Sequence, residues 1–565
     1  MKSANRRFKR LQSVQLVSAA VSTLLAAPAS AADSTWNAGT GNWNTAANWS
    51  PVGVPNSTST NVFIDNSALV NSIVTLNINA TIGNLSIAAG DTLRMANGRA
   101  LTFGGILSNA GTLEMASAGS FTDLRVNADA TINGNGTILL SNIGNNRIYG
   151  ASGNERLTIG AGQSIIGSGQ FGAGQLKVTN QGLIAALGSD GLTFNVSSAA
   201  GTFNNAGGVI EVRDGSAAHF NGGTFEGGTL RGQVTSALTG SVSATLSGVN
   251  IEGALTLRNG QGLGIAGVST NTGTLKLDSG GSFTDLRVNA DATINGNGTI
   301  LLSNIGNNRI YGSSATNRLT IGAGQTLRGS GQLGVNLLQI TNNGSIVADQ
   351  SVALTINPTL TDPLTNHGTV SVAAGSQMTL SGSNLLQDAV AAWTTVNGSL
   401  TTPLVDLRAG TLSGSGNLIG AVTNSGGIVA PGASPGKLTL QGNYAQGALG
   451  SLDIEIDGLV QGTQYDWLFV TGTASLDGAL RLDFGYTPAP GSNFTILSST
   501  GARTGTFSSL IKPSGWDVFV NYNPHDVTLT VVAVPEPETY AMLLAGLGLL
   551  GFMARRRNAR KGAAG

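Results

Sequence analysis

The sequence predicts an all-β fold, a right-handed parallel β-helix, from three observations: a long internal repeat, a recurring Asn-x-Gly corner, and short runs in which apolar and polar residues alternate. Residues 119–150, GSFTDLRVNADATINGNGTILLSNIGNNRIYG, return unchanged at 281–312, a displacement of 162 residues. The echo continues outside this block, since RLTIGAGQ at 156–163 returns at 318–325. Within the units, Asn-x-Gly followed by an alternating run begins at Asn109, Asn180, Asn271, Asn342, Asn366 and Asn424. Asn and Gly tolerate left-handed backbone angles, so each pair predicts a corner. The alternation after it sets Leu, Ile and Val on one face of a short strand. Coils of about 20 residues divide one unit into about eight stacked rungs. An array of β-sandwiches is the alternative arrangement.

Composition agrees with a stack. Of 565 residues 82 are Gly, 41% are hydrophobic, only 10% are charged, and none is Cys. That is enough apolar material for a core. Without cysteine, disulfide staples and thiolate metal sites are excluded, and stability must come from repetitive packing and hydrogen-bond ladders. Lys+Arg and Asp+Glu both number 29, so net charge gives no reason to expect nucleic acid as a partner.

Residues 1–32 read as a secretory signal peptide: a basic start, an apolar stretch at 14–27, and a small-x-small cleavage site at Ala29 and Ala31. The segment 33–100 holds the N-terminal cap and first coils. Its Trp36, Trp43 and Trp49 either cover the apolar interior of the first rung or form a platform on which sugars stack. The two repeat units occupy 101–262 and 263–413, and a further β-rich region occupies 414–533. The tail at 534–561 has three parts in order: a box of Pro535, Glu536 and Pro537, an apolar run at 540–554, and a basic cluster of Arg555, Arg556 and Arg557. Fifteen helical residues reach about 22 Å, short of the roughly 30 Å hydrocarbon core, so a single short transmembrane helix is a marginal anchor. The arginines are expected to stay cytoplasmic. The two prolines are expected to hold the box extended and outside the helix.

This tail resembles the PEP-CTERM sorting signal. The resemblance implies an exported protein of a Gram-negative-type bacterium, anchored transiently in the inner membrane, cut by an exosortase at or near 535–537, and delivered to the cell surface or beyond. It further implies association with exopolysaccharide and biofilm matrix. The region 414–532, with its PGASPG turn at 431–436, resembles the passenger-associated region of autotransporters. No membrane barrel follows it, so the passenger architecture is implied without that export mechanism.

No catalytic or cofactor-binding set emerges. His219, His367 and His525 are far apart and match no metal-ligand spacing. Asp123, Arg125 and Asp129, with their copies Asp285, Arg287 and Asp291, offer the best acid–base material. Asp123 and Arg125 share a strand face and read as an ion pair, or alternatively as part of a polysaccharide lyase. Asp453, Glu455 and Asp457 alternate along one strand and could hold Ca²⁺ weakly or simply face solvent. Ice binding would require Thr-x-Thr on rung after rung, and Thr471–Thr473 and Thr528–Thr530 are isolated. The expectation is a non-enzymatic structural or adhesive surface protein. Alternatives are a glycan lyase or hydrolase, an ice-binding protein, and a passive stalk.

Overall fold

Each alternating run becomes one strand of a parallel ladder, and three such ladders wind around a single apolar interior. The computed structural model describes residues 32–64, 71–196, 202–359, 362–432, 434–514, 517–532 and 537–561. Strands join their sequence neighbours through corners and hydrogen-bond to the strand one full turn away. On the first face, Leu113 sits beside Leu93 and Ile138, and the column continues through Ile165, Ile184, Ile210, Leu230 and Ile251. Every member of that column is at least 96% buried. Burying such side chains stabilises by about 1.5–3 kcal/mol each, so stability accumulates along the axis. The structure is a parallel β-helix.

The corners form for a different reason from the expected one. None of the six Asn-x-Gly motifs places its Asn or Gly at positive φ among the described residues. The Asn side chain turns inward, fully buried at all six positions. Where the rungs allow, these amides bond along the axis: Asn180 Nδ2 donates to Asn205 Oδ1 at 2.8 Å, and Asn342 Nδ2 to Asn366 Oδ1 at 2.9 Å. Asn366 in turn donates to Gln387 Oε1 at 3.2 Å. The Gly is required because the neighbouring backbone passes too close. A Cβ on Gly182 would lie 2.4 Å from the Gln163 carbonyl oxygen.

Both ends depart from parallel pairing. At the N-terminus, Ala32–Trp36 pairs antiparallel with Trp49–Ser50. At the C-terminus, Asp526–Val532 pairs antiparallel with both Asn493–Ser499 and Asp517–Tyr522. These reversals finish one ladder at each end, whose open edge would otherwise accept another chain, while Thr40–Asn42, Arg503–Gly505 and Ser509–Ile511 end the other ladders as parallel strands.

The duplicated units are not stacked in phase. From Thr112 the first face climbs through Thr137, Ser164, Leu183, Val209, Thr229 and Asn250 to Thr270. Those seven turns end just before the second copy begins at Thr274, which lies on the next face, beside Ala254. The rungs vary from 19 to 27 residues, so the unit holds seven turns and one further face rather than the expected eight rungs. The strand Asn250–Arg258 itself crosses from one face to the next, bending at Gly253 with φ +69°.

Candidate functional site

The C-terminal helix, Pro537–Lys561, packs against nothing described. Its apolar side chains point outward on every side: Met542 is 73% exposed, Leu544 69% and Phe552 65%. A helix apolar all round and without a protein partner is built for an apolar surrounding. Arg555, Arg556 and Arg557 follow on the same helix and are exposed. Among the described residues, no helix is long and apolar enough to cross a membrane, which narrows the expectation of a transmembrane helix to a short apolar helix at that place. The expectation for Pro537 is corrected as well. It opens the helix, because a first-turn residue needs no N–H partner and its fixed φ suits helical geometry. Pro535 and Glu536 lie outside the described residues, as do Ala29 and Ala31.

The three N-terminal tryptophans cluster inside the first rung, each at most 1% exposed. Trp49 meets Trp36 and Trp43 edge-on, with ring centroids 4.9 and 4.8 Å apart. Each indole N–H finds a carbonyl: Trp36 that of Gly39, Trp43 that of Pro55, Trp49 that of Trp43. Their ring faces are covered by protein, leaving no surface on which a sugar could stack.

Asp123 does not pair with Arg125. Arg147, directly opposite on the next rung, donates to Asp123 through Nε at 2.8 Å and Nη2 at 2.7 Å. The Tyr149 hydroxyl adds a bond to the same carboxylate at 3.2 Å, and the Arg147 guanidinium lies 3.9 Å from the centre of the Phe121 ring. Arg125 reaches instead toward the Ala151 carbonyl. The second copy repeats the arrangement with Asp285, Arg309, Tyr311 and Phe283. Cross-rung neighbours are closer than residues two apart on one strand, which explains the exchange of partners. Asp129 and Asp291 accept the Arg156 and Arg318 amides of the following rung. All these carboxylates are engaged in holding rungs together.

The histidines are also separate. His219 contacts Thr239 and the Asp190 carbonyl, and burial pushes its pKa down. His367 pairs with Asp388 at 2.8 Å, and His525 contacts the Gly501 carbonyl. No group of His, Asp or Glu able to hold a metal is found among the described residues. On the second face, Thr274, Thr299, Thr326, Ser345 and Thr369 form a single-file row. The outward neighbours two residues on include Lys276, Leu301 and Arg328, so no Thr-x-Thr plane forms.

A groove of about 500 Å³ opens farther along this face. Asp453 and Glu455 line it, together with Trp393, Asp466, Arg481 and Asp483. Asp457 does not. Asp466 is only 2% exposed and accepts the Gly436 amide at 2.7 Å and the Glu455 amide at 2.8 Å. It thereby ties the PGASPG turn to the strand Ser451–Ile456. Burial pushes its carboxyl up to about 7, against the lowering effect of those two amides and with help from the Glu455 and Asp457 charges. Sequence reasoning passed over Trp393 and Asp466 because neither sits in a repeated pattern.

A parallel β-helix with an antiparallel pairing at each end, followed by an isolated apolar helix and a basic cluster, defines a repetitive body joined to a detachable address. Residues 533–557 match the PEP-CTERM protein-sorting motif. The chain therefore carries the sorting signal of an exosortase substrate, and is an exported protein with a C-terminal membrane-anchor signal. No curated protein matches the chain.

Proposed function

We propose that this protein is a structural or adhesive component of the cell surface, without catalytic activity, that associates with exopolysaccharide in the biofilm matrix after the exosortase removes its tail. The observation that carries the reading is the sorting motif at 533–557 joined to a long solenoid whose duplicated Asp123 and Asp285 clusters are spent between rungs. Ser, Thr and Asn side chains repeat along the flanks, so weak contacts to a polymeric ligand would add through multivalency. The tail is present for delivery and lost on arrival. Mass spectrometry of protein recovered from outside cells, with and without the exosortase, tests this. The expected mature C-terminus lies near 535–537, and an intact tail on extracellular protein sinks the reading. Retention of the producer's own polysaccharide by the full chain tests the adhesive part.

A further inference from the structure

The groove on the second face stands out from the regular flank around it. The outward row Thr299, Thr326, Ser345, Thr369 continues to Trp393 and then Thr411, so one large aromatic interrupts a file of small hydroxyl residues. Trp393 is 47% exposed, whereas Trp36, Trp43 and Trp49 are buried. Its indole N–H is held by Ser413 Oγ at 2.8 Å, which fixes the ring without covering it. Packing gives no reason for this residue: its register neighbours are Thr369 and Thr411, neither large enough to enclose it.

Beside the ring, Thr395, Ser413 and Ala430 form an adjoining row of small side chains, and their size leaves the groove open. That row runs on toward Asp453 and its register partner Arg481, the one cation among the lining residues, with Glu455 and Asp483 two residues farther along the same strands. A rigid aromatic surface beside hydroxyl and carboxylate acceptors is the chemistry that recognises sugars. The ring covers the C–H face of a pyranose while the polar groups accept its hydroxyl protons. The surplus of carboxylates excludes a polyanion and favours sugars that carry hydroxyl, amide or amine groups.

We propose that this groove binds a segment of polysaccharide built from sugars without acidic groups, with Trp393 as the stacking platform and Asp453 and Glu455 as hydroxyl acceptors. The proposal rests on the adhesive reading above and gives it a place on the molecule. It also moves the sugar platform from the N-terminal tryptophans to the other end of the solenoid.

The test is calorimetric titration of the full chain with a cello-hexasaccharide, an N-acetylated chito-hexasaccharide and an oligogalacturonate of equal length. One of the first two is expected to bind, the oligogalacturonate is not, and Trp393→Ala is expected to weaken binding at least about tenfold. Trp393→Phe should keep part of the affinity, and Trp467→Ala, on the neighbouring face, should keep all of it. An unchanged melting temperature in Trp393→Ala shows that the fold is intact. Equal affinity of Trp393→Ala and the parent, preference for the oligogalacturonate, or no binding of any probe overturns the proposal. If the parent and Trp393→Ala retain the producer's polysaccharide equally, the groove proposal fails while the adhesive reading stands. If the parent retains none, the adhesive reading fails too.

Discussion

The two repeat units share an identical block of 32 residues yet differ in the interior that follows it. In the first, Phe171, Phe194, Phe203, Phe220 and Phe225 stack along the axis, with Phe194 within 6.3 Å of each of the other four ring centroids. In the second, Leu333, Ile356 and Leu380 occupy the places of Phe171, Phe194 and Phe220 in equivalent strands. Both interiors are fully buried. A shared surface cluster over the same aliphatic rungs is thus followed by an aromatic core in one unit and an aliphatic core in the other. The solenoid tolerates this because each rung packs only on its neighbours.

The comparison can be broken most directly in the core. Phe194→Ala should cost about 3–5 kcal/mol of local stability, and Ile356→Ala about 2–4 kcal/mol. Hydrogen exchange resolved by segment would read each loss in its own unit, and equal losses would show that the ring stack adds nothing beyond volume. Next in size are the paired surface clusters. Asp123→Ala and Asp285→Ala should each cost about 1–2 kcal/mol by leaving a half-buried arginine without its carboxylate. A clear difference between the two would mean that the face on which the cluster stands matters.

A smaller effect concerns one corner. Val335 holds φ +51° where the first unit has Ala173 at φ +45°. A β-branched residue is strained there, so Val335→Gly should stabilise the second unit by about 0.5–1 kcal/mol in chemical denaturation. No gain would locate the strain elsewhere.

The finest distinction depends on pH. Glu155 accepts hydrogen bonds from the Ser152 and Gly153 amides and the Ser152 hydroxyl, whereas Asn317 takes that place in the second unit, accepting from Ser313 and Ser314. Burial alone would push the Glu155 carboxyl up, but those hydrogen bonds outweigh it and hold the pKa below the ordinary glutamate value. A lowered carboxyl pKa stabilises the fold above the unfolded value, and that stability disappears as pH falls through the folded value. Hydrogen-exchange protection around 150–156, corrected for the intrinsic rate, should therefore fall in acid, while that of 312–318 should respond less. Glu155→Gln should abolish the difference.

Much of this architecture was legible in the residues. The alternation around Leu113, Leu275 and Ile346 gave the strands, and the repeat gave the stack. The physical reason for the corners was not legible. Asn180 and Gly182 look like left-handed turn residues, and only the stacked backbone reveals that one is buried and the other squeezed. The partner of Asp123 was hidden too, because Arg147 is opposite only once the length of the intervening rung is known. Trp393 carried no signal in sequence, since its distinction is to stand in a file of threonines contributed by distant rungs. The sorting motif was the opposite case, legible because it works as a linear string, although the place of Pro537 at the start of the helix was not.

The extra face in the 162-residue unit has an evolutionary corollary. Duplicating that length copies a surface cluster and also rotates it, so Asp123–Arg147 and Asp285–Arg309 look out in different directions from one rod. A third tandem copy would occupy the remaining side, and a fourth would return above the first. Gene duplication of this unit therefore converts chain length into angular coverage, and a ligand arriving from several directions would meet the same pattern each time.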